Sequence, residues 1–129
     1  AGQAMSSYSC ICGKVKVEYS GNPMFVAYCH CIECRKTCAA PYFQGSGFPT
    51  ASVKITNAEN TGMFAAKQMP RHFCKDCGTY VYGNAGEFYV LPCSLMDKPP
   101  AAQFHIWTSE KVIPVLPEDG LPRFEQGPK

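Results

Sequence analysis

At 129 residues the chain is sized for one domain, and with 46% hydrophobic and 17% charged residues it has the composition of a folded globular protein. A net charge of +2, with no basic run and no acidic tail, gives no electrostatic case for nucleic acid or a membrane surface as partner. No stretch reaches the apolar length of a transmembrane helix.

The opening AGQAMSSYS (residues 1–9) has neither the basic nor the apolar region of a signal peptide. It reads as an N-terminal extension with the natural start at Met5, and residues 10–129 read as a single domain. Next, KVKVEYS (14–20) alternates polar with apolar residues, which predicts a half-buried strand. MFVAYCHC continues as strand from Met24, and one or two helical turns are expected around residues 33–38. TYVYG (79–83) and EFYVLPCSL (87–95) are aromatic and β-branched, hence strands. NAG (84–86) forms the hairpin turn between them. QFHIWT is another short strand after the breaker DKPP. From Pro114 the prolines at 114, 117, 122 and 128 enforce an extended or irregular tail. The sum is a mainly β domain of short strands.

Nine cysteines is an odd and high count for this length. Seven of them fall into close pairings: Cys10 and Cys12 in CICG, Cys29, Cys31 and Cys34 in CHCIEC, and Cys74 and Cys77 in CKDCG. Thiols so close in sequence are poor disulfide partners for one another but good metal ligands, which points to a reducing compartment, the cytoplasm, and to bound zinc. The first and third clusters each end in Cys-Gly, and glycine lets the chain turn tightly behind a ligand. Together they make a closed four-thiolate structural site. The middle cluster then has three thiolates and an open position, as catalytic zinc sites do. Spacing leaves two other groupings open: Cys38 as a fourth ligand closing the middle site, or Cys10, Cys12, Cys29 and Cys31 sharing one metal.

CICGKVKVEYSG, YCHCIECRK, RHFCKDCGTYVYG and FHIW, in this order, resemble the glutathione-dependent formaldehyde-activating enzyme (GFA) family, also called the centromere-protein-V-like family. The likeness runs from about Cys10 to about Trp107. It implies an Mss4-like β-tent of short antiparallel sheets stapled by two zinc ions per chain. Cys10, Cys12, Cys74 and Cys77 would hold the structural ion, and Cys29, Cys31 and Cys34 the catalytic one. The implied activity is that of a carbon–sulfur lyase of the S-(hydroxymethyl)glutathione synthase type, with glutathione and an aldehyde as small-molecule partners. Two departures fall where a substrate is sensed: Ala39 stands at the family's usual glycine, and PCSLMD replaces its usual glycine-threonine-leucine-aspartate. They raise two alternatives: a zinc enzyme of the family acting on another thiol adduct or biosynthetic intermediate, and a non-catalytic zinc-binding interaction module.

Glutathione carries two carboxylates, so its pocket calls for cations. Arg35 and Lys36 beside the middle cluster are the candidates, with Arg71 a further one. His105 in FHIWT is expected as a proton shuttle or substrate contact. His30 should point away from the metal by strand alternation. His72 carries no functional expectation. Tyr42 and Phe43 are candidate pocket walls, Asp97 a weak candidate for orienting water, and Cys38 and Cys93 either buried small hydrophobes or reactive thiols.

Overall fold

A computed structural model describes residues 5–128. Ten strands and one short helix follow in the order β1 (Ser6–Ser9), β2 (Lys16–Tyr19), β3 (Phe25–Cys29), α1 (Ile32–Cys38), β4 (Phe43–Pro49), β5 (Val53–Thr56), β6 (Thr61–Ala65), β7 (Pro70–Cys74), β8 (Tyr80–Asn84), β9 (Phe88–Pro92) and β10 (Phe104–Ile106). They form a three-stranded sheet, β1-β2-β5, and a seven-stranded sheet, β10-β3-β4-β9-β8-β7-β6. Every neighbouring pair is antiparallel except β10 with β3. The domain is therefore the mainly β fold expected, with one parallel pair at an edge.

The alternation along β3 divides the molecule. Val26 faces inward and packs with Val17, Phe48 and Leu91 in the core between the two sheets. Phe25, Ala27 and Cys29 face the other way, toward a second, smaller cluster with Phe43 and Val90. Residues directly opposite one another in a ladder share a face, and the pairings Phe25–Gly47, Ala27–Gly45 and Cys29–Phe43 carry this second face onto β4. The glycines there are steric requirements. A Cβ at Gly47 would lie 2.3 Å from Phe25 Cε1, and one at Gly45 would lie 2.6 Å from Phe43 Cε2. Two aromatic rings lie over bare backbone, and the sheet gains a face that side chains at 45 and 47 would have filled.

The domain boundary expected at Cys10 falls inside the fold. Ser6–Ser9 pair with β2, and Tyr8 is buried with its hydroxyl donating to Val81 O at 2.6 Å, which joins the two sheets. The reason is packing: Tyr8 supplies core volume that the short strands lack. Residues 1–4 lie outside the described residues. At the other end the proline-rich tail runs beside β10, with His105 N donating to Pro122 O and Phe124 N to His105 O. That covers an otherwise open sheet edge.

α1 begins at Cys31, whose sulfur accepts from Cys34 N at 3.3 Å in the role of an N-cap. It ends at Ala39, which adopts φ 52°, ψ 46°. That left-handed conformation suits glycine, and here an alanine adopts it.

Tyr8→Phe leaves the Val81 carbonyl buried without its donor and is expected to lower stability by about 1–3 kcal/mol, read by urea denaturation. Ala39→Gly relieves the left-handed strain and is expected to raise stability by up to about 1 kcal/mol in the same measurement; an unchanged or lower midpoint would mean that the cap costs nothing.

Candidate metal centres and active site

The first knuckle lies between β1 and β2, the third between β7 and β8. Gly13 and Gly78 both take positive φ, 80° and 77°. Gly13 N donates to Cys10 O at 3.0 Å and Gly78 N to Cys74 O at 2.9 Å. The two turns are thus built alike, and the fold sets them face to face. The sulfurs of Cys10, Cys12, Cys74 and Cys77 all lie within 4.8 Å of one another. Val15 N donates to Cys10 Sγ at 3.4 Å and Asn60 Nδ2 to Cys74 Sγ at 3.6 Å. The Thr79 hydroxyl, followed by the backbone N–H groups of Thr79 and Cys12, pulls the Cys77 thiol down to about 5. Four converging sulfurs met by N–H donors are a donor set that fits zinc.

Cys29, Cys31 and Cys34 form the second group, all buried, with their sulfurs again within 4.8 Å of one another. No fourth Cys, His or carboxylate joins them among the described residues. Cys38, half-buried at the end of α1, lies against Tyr42 O at 4.0 Å and belongs to neither group. Of the groupings that spacing leaves open, the fold thus realises four and three. Within the three, hydrogen bonds from Cys29 and Cys34, then from Cys34 N and the Gln68 amide, hold Cys31 low, while the contacts with Cys31 and Cys34, followed by burial, push Cys29 up. Three soft donors at the end of a strand and the start of a helix also fit zinc, with room for a further ligand.

Charged and polar groups brace these sulfurs. Arg71 is almost fully buried on β7, its Nη2 3.6 Å from Cys34 Sγ. Its Nε donates to Glu33 at 3.0 Å and its Nη1 to the Tyr80 hydroxyl at 3.1 Å. A buried guanidinium needs such pairing. Glu33 also accepts from Gln68 N at 3.3 Å, and Gln68 Nε2 donates to Cys31 Sγ at 3.4 Å. The β6–β7 loop is therefore fastened over the sulfurs through α1.

Two cavities flank the cluster. One, of about 230 Å³, is walled by Phe25, Phe43, Met69, Phe88, Val90 and Ile106, with Cys29 and Cys34 at its edge. The other, of about 560 Å³, is lined by Cys31, Glu33, Lys67, Glu110 and Trp107. Gln68 borders both. Trp107 holds φ 57°, an unusual conformation for so bulky a residue.

The candidates from the sequence separate spatially. His30 points away from the sulfurs, as strand alternation requires. It is fully buried, with Nε2 3.0 Å from His105 Nδ1. His105 is also fully buried and donates through Nε2 to Asp119 at 2.7 Å. Burial first, then His105, Lys111 and Arg35, pushes His30 down to about 4, so it is neutral near pH 7. Its Nδ1 has no hydrogen-bond partner among the described residues. His105 thus lies on the sheet face opposite the apolar cavity, whereas its neighbour Ile106 lines that cavity. Arg35 donates through Nε to His30 O at 3.3 Å, and Lys36 is exposed; neither borders either cavity. Phe43 is a cavity wall, whereas Tyr42 packs on His30. His72 stacks on Tyr82, Asp97 is exposed, and Cys93 is buried in the main core.

Sequence reasoning did not single out Gln68, Tyr80 or Asp119. Glu33 entered only as the start of the helix; an acid in a first turn is a recognisable signal, but its partner Arg71 lies 38 residues on. Nothing local marks Gln68.

A β-tent held by one closed four-sulfur site and carrying one open three-sulfur site beside a cavity defines the class of protein. The chain belongs to the glutathione-dependent formaldehyde-activating enzyme family, whose profile matches residues 5–110. An uncharacterized lyase of Schizosaccharomyces pombe is 31% identical over 75 residues, covering 57% of this chain and 53% of that protein. The chain thus matches about half the length of that relative. A crystal structure of a Rhodobacter sphaeroides protein has the same fold, with a TM-score of 0.59 and 18% identity over 92% of this chain and 98% of that one. No described helix is long and apolar enough to cross a membrane.

Cys77→Ser is expected to lose one metal together with cooperative folding, because a structural metal's binding energy is folding energy. Cys31→Ser is expected to lose one metal and keep its β-sheet spectrum. Metal analysis beside circular dichroism checks both, and equal collapse of the two variants would make both centres structural.

Proposed function

We propose that the chain is a zinc-dependent carbon–sulfur lyase that makes and breaks the bond between a thiol sulfur and the carbon of a small aldehyde. Its reference reaction is the reversible joining of glutathione and formaldehyde as S-hydroxymethylglutathione. The observation that carries this reading is the convergence of three buried sulfurs, without a fourth Cys, His or carboxylate among the described residues, between two cavities. Membership of the family and the lyase-named relative support it. In this reading Cys10, Cys12, Cys74 and Cys77 hold a structural zinc, and Cys29, Cys31 and Cys34 hold the catalytic one. Cysteine pairs suited to metal rather than to disulfides favour a reducing compartment, the cytoplasm.

Zinc bound to three thiolates is a Lewis acid that favours the thiolate form of an incoming thiol. The remaining work falls to the chain's own residues. Arg71 and Gln68 donate to Cys34 and Cys31, drawing negative charge off these sulfurs and fixing their directions. The apolar wall keeps water from the reacting carbon. In the forward direction the C–S bond forms, the carbonyl π pair moves to oxygen, and the proton given up by the thiol ends on that oxygen. The reverse step returns both reactants. His105 and Arg35 serve from behind the strand: His105 holds the His30 ring between two ligands, and Arg35 holds the His30 carbonyl.

A second reading keeps the chemistry and changes the thiol. It is favoured by one observation: among the described residues, no charged side chain lines the apolar cavity.

Zinc-loaded protein is expected to bind two zinc ions per chain and to accelerate hemithioacetal formation from formaldehyde and a thiol, followed by NMR exchange. Cys31→Ser should lower that rate at least about 100-fold. A protein that holds two zinc ions and accelerates the reaction of no thiol would refute the proposal.

A further inference from the structure

The apolar cavity bears on which thiol the site accepts. It opens beside Cys29 and Cys34, and its walls are three phenylalanines, Met69, Val90 and Ile106. The chain has cleared this space: Gly45 carries no side chain, and Ala27 is the smallest residue with a Cβ. A dry apolar cavity of about 150 Å³ takes up benzene, so one of about 230 Å³ admits an aromatic ring with a short chain.

Glutathione meets poor chemistry on both sides of the sulfurs. Its two carboxylates would find no cation among the described residues of the apolar cavity, and an unpaired charge there is strongly disfavoured. Among the described residues that line the wider cavity Lys67 is the one cation, set among the carboxylates of Glu33 and Glu110. Glu33 is moreover committed to Arg71 and to Gln68 N. Three thiolates on one divalent ion add a formal charge of −1. The surroundings are thus net negative or apolar, the reverse of what a γ-glutamyl peptide requires.

We infer that the thiol half of the substrate carries an apolar, ring-sized body that enters the cavity walled by Phe25, Phe43, Phe88 and Val90. This inference rests on the lyase reading and specifies its substrate class. The thiol sulfur lies toward Cys29 and Cys34, and the body extends along the bare backbone of β4 under the phenylalanine rings. Gln68, shared by both cavities, borders the path between the apolar side and the wider, wetter one, through which the small aldehyde enters.

The test uses zinc-loaded full chain and three probes: benzyl mercaptan, 2-mercaptoethanol and glutathione, each titrated calorimetrically under reducing conditions. Benzyl mercaptan is expected to bind at least about tenfold more tightly than either of the others. Ala27→Leu, which shortens the cavity, should cut that preference severalfold. Ala85→Trp should do the same from the exposed rim, where a substitution carries little risk to folding. Glutathione binding as tightly as benzyl mercaptan, or benzyl mercaptan binding no better than 2-mercaptoethanol, would overturn the apolar class and leave the lyase reading standing. No binding of any thiol to protein that holds both zinc ions would remove the lyase reading and this inference with it.

Discussion

The fold depends on mutual repulsion among sulfurs being cancelled. Seven cysteine sulfurs sit in two groups, each with its members within 4.8 Å, and thiolates that close oppose one another strongly at low dielectric. The chain gathers them because N–H donors and tight turns aim at the same points. A divalent cation bound there would complete what those donors begin. The closed group fastens the turn after β1 to the turn after β7. It thereby joins the small sheet to the large one beside the Tyr8–Val81 hydrogen bond, Cys10 following Tyr8 by two residues.

The two groups differ in what surrounds them. Cys12 is exposed and Cys77 half-buried, and the donors to the closed group are mainly backbone N–H groups and neighbours on the same turns. Every sulfur of the open group is buried, yet cavities reach it from both sides. Its braces come from distant strands: Arg71 from β7, and Gln68 from the loop before it. A fastener needs local turns, because these form early and close a small ring. A reacting centre needs partners from several elements, because it must be held rigid while keeping one side free.

This division governs what was legible in the sequence. Local patterns carried the knuckles, the alternation of β2, the paired aromatic strands β8 and β9, and the short helix at Ile32–Cys38. The central strand β4 escaped, because FQGSGFP shows glycines where a half-buried strand normally shows large apolar residues. The missing bulk is supplied from neighbouring positions by Phe25 and Phe43. β5, β6 and β7 also went unread, being short and of mixed exposure. The ligands were readable because their spacing is local, whereas Arg71–Glu33, Gln68–Cys31 and His105–Asp119 join residues far apart or in irregular segments. His105 was readable as a residue of interest, but the face it occupies depends on register with β3, where it pairs with Tyr28.

That register links the tail to the three-cysteine group. β10 pairs with β3 so that Ile106 lies opposite Cys29 and faces the cavity, while His105 turns inward to meet His30. The proline-rich tail then fixes β10 from its outer edge through backbone hydrogen bonds at His105 and Trp107. Asp119, beyond the 5–110 stretch that matches the family, completes the string by accepting from His105. A neutral imidazole buried between two ligand-bearing residues cannot rotate without breaking this string, so the directions of Cys29 and Cys31 are set from the core side of the sheet. The cavity side is thereby left to apolar walls and the Gln68 amide. One strand thus serves both purposes: its inward residues hold the clustered cysteines still, and its outward residues shape the cavity beside them.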